Sequence, residues 1–342
     1  MTTKTEKEGA FHQESRVKLS KANSWIKYGV PLVVVVILAL LPVFQIVNGG
    51  LNYWLHMLLY VFLYIIMSSS WNIIGGYAGY VSLGHNVFFA FGAYFAGMFF
   101  VYLRISPFIT APVAGIMAML GGLLFGLIAL RTRGTAFIIS TIALVLLMVE
   151  VLDNWPLTGG TNGLAMTIIN LDGQFAKIPY YYYLLVIMIL TILTTYFIKH
   201  SKFGLGLRAI SQDEAKAEVA GIPTRLYKIL AFGISGLFIG MAGAIWGSYL
   251  TYLRPSIFLT VAIGTNIVLN TILGGKGTVS GPVIGAAIMI AVNEFVVAKL
   301  GATELNIVVT GLILICVLLY FPEGIVGTLK NKNLLPSFLD WG

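Results

Sequence analysis

Few residues in this chain have types and spacings that invite a chemical reading. Gly274-Gly275-Lys276-Gly277-Thr278 holds the residue types of a phosphate-binding loop, but not the order Gly-x4-Gly-Lys-Ser/Thr. Without that order there is no backbone cradle for phosphates, so ATP hydrolysis by that route is not expected. His12, His56, His85 and His200 are widely separated, and no His-Glu-x-x-His occurs. No metal site is expected from them. His85 follows a glycine turn and is expected to be a hydrogen-bonded structural histidine. The lone Cys316 lies in an apolar run and excludes an intrachain disulfide and a cysteine metal site. No catalytic constellation emerges, and the chain reads as a non-enzyme.

A structural signal replaces the catalytic one. Ser211-Gln212-Asp213-Glu214 reads as a capping box, with Ser211 and Glu214 each accepting from the other's backbone N–H. The helix formers of 215–220 follow, then Gly221 as a left-handed stop and Pro223 as a block. A short helix over 212–220 is therefore expected inside the polar loop Lys199–Lys228. Its small residues Ala215, Ala217 and Ala220 suit close seating in a groove on a soluble partner.

The elements that carry this loop are apolar. The 342 residues are 58% hydrophobic and 10% charged, with a mean hydropathy of +0.91. Soluble domains carry about 25% charged residues, so this is a polytopic membrane protein. Ten spans are expected at 29–47, 51–74, 86–103, 107–130, 135–152, 180–198, 229–253, 257–273, 282–299 and 305–321. The span at 257–273 is the weakest and has a re-entrant alternative. Residues 1–28 read as a cytoplasmic tail without a signal peptide, 29–327 as the membrane domain and 328–342 as a second cytoplasmic tail. With both termini inside, only Arg104, Lys177, Arg254 and Lys299 of the 21 basic residues fall outside. The net charge of +8 thus reflects membrane orientation rather than nucleic-acid binding.

Gly233, Gly236, Gly240, Gly243 and Gly247 form a small-residue stripe on the seventh span. It is expected to serve tight packing within the bundle, or else against a second subunit. Glycine segments at 75–84 and 274–282 interrupt the apolar runs, and Gly79-Tyr80-Val81-Ser82 echoes Gly277-Thr278-Val279-Ser280. Such turns are expected to face the bundle interior or a neighbour. Glu294, with Asn266, Asn270 and Asn293, is polar at membrane depth, while Glu150 lies near a span end. Glu294 is expected to pair with an adjacent helix. So few carboxylates argue against a proton- or sodium-coupled carrier. The loop 153–163 is polar, turn-rich and on the outer side.

These blocks together resemble the permease subunits of branched-chain amino acid ABC importers, on the LivM side, from about Trp71 to Gly327. The glycine block carrying Gly76, Gly79, Ser82 and His85 is similar to that family's own. So is the outer loop Thr158-Gly159-Gly160-Thr161-Asn162-Gly163. Phe203 to Ile210, with Ser211, Glu214, Ala217, Ala220 and Gly221, resembles its ATPase-coupling loop. Gly274, Gly275 and Gly277, with the late Pro322-Glu323-Gly324-Ile325, complete the pattern. One departure stands out: Glu214 is followed by Ala215-Lys216, and Gly221 lies seven residues on rather than six.

The resemblance implies an all-α fold with about ten transmembrane helices, glycine-rich interruptions and a short cytoplasmic coupling helix. It implies half of a heterodimeric pore in the plasma membrane for Leu, Ile or Val. A LivH-like permease would supply the other half, and two ATPase subunits would use ATP and Mg. A soluble or lipid-anchored binding protein would deliver the cargo, and this chain itself would bind no cofactor. A urea or amide permease of the same family is the alternative, although Thr161 tilts towards amino acids. A stand-alone channel or secondary carrier is the rival class.

Overall fold

The computed structural model describes residues 29–45, 50–166 and 175–300, single positions between 308 and 321, 323–332, and 336, 339 and 341. The expected tail 1–28 and about half of the expected span 305–321 lie outside the described residues. The apolar runs become helices because lipid offers backbone groups no partners, so each segment must bond to itself. Eight helices are long and apolar enough to cross a membrane among the described residues, and α1 (Gly29–Gln45) is a shorter apolar one.

Helix α2 (Asn52–Asn72) runs on through a π-helical turn, Ile73–Tyr77, into the first glycine segment. Helices α3 (Asn86–Leu103), α4 (Pro107–Ala129), α5 (Thr135–Asn154) and α6 (Ile178–His200) follow. The polar loop then holds α7 (Lys202–Gln212) and α8 (Glu214–Val219). Helix α9 (Thr224–Leu250) is the buried spine. After it come α10 (Pro255–Phe258), α11 (Val261–Gly274), α12 (Ser280–Leu300) and α13 (Gly324–Asn331).

The glycine stripe lets α9 sit against α3 and α4 at backbone distance. A Cβ on Gly243 would fall 2.0 Å from the Phe89 carbonyl oxygen, and one on Gly240 2.4 Å from Ala118. The stripe is therefore used up inside this chain and is not free for a second subunit.

The expected span at 257–273 is broken. Pro255 starts α10, and the chain leaves helical geometry at Leu259-Thr260 before α11 begins. The 14 residues of α11 cover about 21 Å, less than a hydrocarbon core of about 30 Å. Asn86, fully buried, satisfies the break by donating Nδ2 to the Thr260 carbonyl at 2.9 Å. The two pieces nevertheless join opposite ends of the bundle, so the segment does not turn back as a re-entrant loop. At one end strand β2 (Tyr252–Leu253) pairs antiparallel with β1 (Leu164–Ala165), which follows the 153–163 loop. At the other end α11 runs into the second glycine segment.

Candidate functional site

Local sequence builds the polar loop differently from expectation. Ser201 caps α7, its hydroxyl accepting from the Gly204 N–H at 3.1 Å. Helix α7 runs on through Ser211, so Ser211 is in its last turn and is not an N-cap. Asp213 is the cap of α8: its Oδ1 accepts from Ala215 N at 3.0 Å and Lys216 N at 3.1 Å. Serine and aspartate cap about equally well, so the extent of α7, which ends at Gln212, decides between them. These bonds hold the Asp213 carboxyl below the usual carboxylate range. Gly221 behaves as expected. It takes φ +84°, its N–H bonds to the Glu218 carbonyl and that of Ile222 to the Ala217 carbonyl, a Schellman ending. The helix is thus 214–219, shorter than the expected 212–220.

Freed from capping, Glu214 ties four segments together. Lys228, at the start of α9, donates Nζ to Oε1 at 2.5 Å. The Tyr80 hydroxyl, from the first glycine segment, donates to Oε2. Arg133, in the turn between α4 and α5, stands 3.3 Å from Oε2. Lys228 also donates to the Tyr80 hydroxyl at 3.1 Å and lies 4.7 Å from its ring centroid. The Lys228 and Glu214 side chains are 3% and 11% exposed. Burial pushes the Glu214 carboxyl up. Hydrogen bonds from Lys228 and Tyr80, with the charges of Lys228 and Arg133, outweigh it and hold the group below its ordinary value. Burial and the adjacent Glu214 push the Tyr80 phenol up.

Helix α8 therefore has an inner and an outer face. Ala217 is buried against its own chain, so it cannot also sit in a partner's groove as expected. Ala215, Glu218, Val219 and Ala220 are exposed, and Val219, at 92%, most of all. A groove of about 540 Å³ lies beside them, floored by Leu127, Ile222, Pro223 and Ile229, with Glu218 and Arg225 among its lining residues.

The two glycine segments meet, and a residue not singled out from sequence joins them. Asn72, fully buried at the end of α2, donates Nδ2 to the Thr278 carbonyl at 2.8 Å and accepts at Oδ1 from Gly277 N at 2.9 Å. A polar residue just before a glycine pair was the available signal. Gly79 and Gly277, the first residues of the sequence echo, take the same left-handed φ, +77° and +78°. Gly79 lies against Ser211, so this segment also touches the end of α7. A Cβ on Gly274 would fall 1.8 Å from the Gly281 carbonyl oxygen, and Gly275, at φ +124°, lies against α13. Ser82 accepts at its carbonyl from Trp71 Nε1 at 2.7 Å. Its hydroxyl meets His85 Nδ1 at 2.9 Å, and His85 Nε2 meets Ser235 at 2.9 Å. His85 is fully buried with both ring nitrogens occupied, the structural arrangement expected of it.

The 153–163 loop lies away from this cluster. Thr158 is buried and donates to the Leu152 and Trp155 carbonyls, both at 2.7 Å. Gly159, Gly160 and Gly163 all have positive φ, and the Asn162 carbonyl accepts from Tyr252 at 2.6 Å. Thr161 and Asn162 are exposed.

The family model described as "Branched-chain amino acid transport system / permease component" matches residues 53–318. The chain belongs to that family. LivM, the high-affinity branched-chain amino acid transport system permease protein of Escherichia coli, is 25% identical over 91% of this chain and 79% of its own length. LivH of Salmonella typhimurium is 32% identical over 39% of this chain and 42% of its own. The ribose import permease RbsC of Haemophilus influenzae is 28% identical over 59% and 64%. No solved structure gives a significant match. As a member of the permease family with eight membrane-length helices among its described residues, the chain is a multi-pass membrane protein.

Proposed function

We propose that this chain is the LivM-like half of an ATP-driven importer for branched-chain amino acids. A LivH-like permease would complete the pore, and two ATPase subunits, using ATP and Mg, would dock on the exposed face of α8. A binding protein would deliver the amino acid at the 158–163 loop. The long match to LivM against the partial match to LivH supports the LivM side of the pair.

The Glu214 node carries the reading. A six-residue helix, capped at both ends, exposes one face and fastens the other to the main spine and to two further segments. A push on α8 would move α9 through Lys228, the glycine segment through Tyr80 and the α4–α5 turn through Arg133. That is the behaviour of a lever coupled to a bundle.

Cells carrying the four kinds of subunit should accumulate labelled leucine, and cells lacking this gene should not. The purified chain alone in liposomes should accumulate none, even under a proton or sodium gradient. Gradient-driven accumulation by the chain alone would sink the ATP-driven reading. Uptake of ribose or urea in place of leucine would change the cargo and leave the drive standing.

For orientation we infer cytoplasmic termini, with α8 inside and the 158–163 loop outside, from the asymmetry of basic residues. A cysteine at Thr161 in a Cys316→Ser background should react with impermeant thiol reagents only from outside. Reaction only from inside would invert the topology.

A further inference from the structure

Among the described residues, Glu294 forms no ion pair of the kind expected for it. It lies on α12, 14 residues from Ser280, or about 21 Å along the helix and so past the middle of a core of about 30 Å. Its side chain is partly exposed, and among the described residues no lysine or arginine forms an ion pair with it. It lies close enough to the His56 ring and the Tyr60 hydroxyl of α2 for its charge to act on both. A carboxylate at this depth that faced lipid would be costly, so such groups face protein or a wet cavity.

The surroundings continue inward as a polar seam. His56, Tyr60 and Tyr64 recur every fourth residue, on one face of α2. The His56 ring is fixed by Tyr249 at 2.7 Å, and Tyr60 stands edge-on to Trp246 with centroids 4.7 Å apart. Tyr64 continues this face of α2, and Asn266 lies on the neighbouring helix α11. One turn further in, Asn270 is 2% exposed and its Nδ2 has no hydrogen-bond partner among the described residues. A buried amide donor left unpaired costs free energy unless something passing meets it.

We propose that this face of α2, α11 and α12 is a wall of the translocation pathway, and that Glu294 takes the α-ammonium group of the amino acid in transit. This rests on the reading above that the cargo is an amino acid. A carboxylate beside aromatic faces suits a cation carrying an aliphatic side chain. Asn270, about one turn beyond Asn266 and further inward than Glu294, offers a donor for the carboxylate of a cargo that has moved past Glu294. One carboxylate without further charges binds weakly enough to release, as conduction requires.

The test uses the assembled importer. In a Cys316→Ser background, Glu294→Cys and Tyr64→Cys should react with a cationic, membrane-impermeant thiol reagent applied at the outer face. Leucine-loaded binding protein and ATP should slow that labelling. Glu294→Gln should lower the maximal rate of leucine uptake about tenfold at an unchanged half-saturating concentration, which the binding protein sets. Glu294→Asp should retain most of the rate. Silence of both cysteines, or a normal rate in Glu294→Gln, would overturn the proposal. So would Glu294→Gln failing to co-purify with its partner permease, which would make the seam a subunit contact. A wild-type importer that ignores leucine would instead overturn the cargo reading, and the cysteine labelling would still judge the wall.

Discussion

Lys228→Met will leave an inserted chain that does not transport: leucine uptake should fall at least about tenfold, and the ATPase subunits should co-purify poorly. Methionine keeps the packing of the lysine stem and removes the charge with its hydrogen bonds to Glu214 and Tyr80. Glu214, 11% exposed, would then keep Arg133, whose side chain is 62% exposed and contributes little. Removing one member of a buried ion pair typically costs about 3–5 kcal/mol, because the other charge is stranded. A six-residue helix has no comparable reserve of its own, so α8 should leave its seat. Glu214→Gln combined with Lys228→Met strands no charge and should transport better than Lys228→Met alone. Wild-type uptake in Lys228→Met would show that the node transmits nothing.

The same node sets the pH dependence. Because the Glu214 carboxyl sits below its ordinary value in the folded chain, its ion pairs contribute fully above that ordinary value, about 4.3. The contribution is lost only as pH falls through the lowered folded value. Between about pH 5 and 8 the wild-type node should therefore stay ionised, and leucine uptake by the wild type should not lose its contribution there. In Lys228→Met the lowering partner is gone while burial still pushes the carboxyl up, so the defect should ease as the cytoplasmic pH falls, and a defect that grows between pH 7 and 5 would mean that another group titrates there.

How far the sequence reaches is visible in this loop. Gly221 was legible because a left-handed residue after a run of helix formers has one cheap solution. Ser211 was misread because Ser211 and Asp213 are both competent caps, and only the extent of α7 decides between them. Glu214 looked like half of a local box, while its real partners include Tyr80, 134 positions away in sequence. Spacing rules see three or four residues along a helix and are blind to that distance. The spans were legible because lipid imposes length and apolarity together. The break at Leu259-Thr260 was not, since Asn86, 174 positions from the carbonyl it satisfies, makes it tolerable. The glycine segments announced themselves by composition, but Asn72, which joins them, is one asparagine among many.

That junction should be the least tolerant point of the fold. A Cβ on Gly76 would lie 1.8 Å from Asn72 Oδ1 and 2.8 Å from Gly277 N. The amide would have to leave, abandoning the Thr278 carbonyl and the Gly277 N–H that it now satisfies. Each buried polar group left unpaired costs about 1–3 kcal/mol, and at least three are affected. Gly121 in α4 provides the control, since an added Cβ there meets nothing within 4 Å and alanine favours the helix by about 1 kcal/mol. Gly76→Val and Asn72→Leu should therefore each cut the yield of monodisperse detergent-purified protein about tenfold and lower its thermal midpoint. Gly121→Ala should match or exceed the wild type. If Gly76→Val purifies and melts like the wild type, the two glycine segments are not held by Asn72.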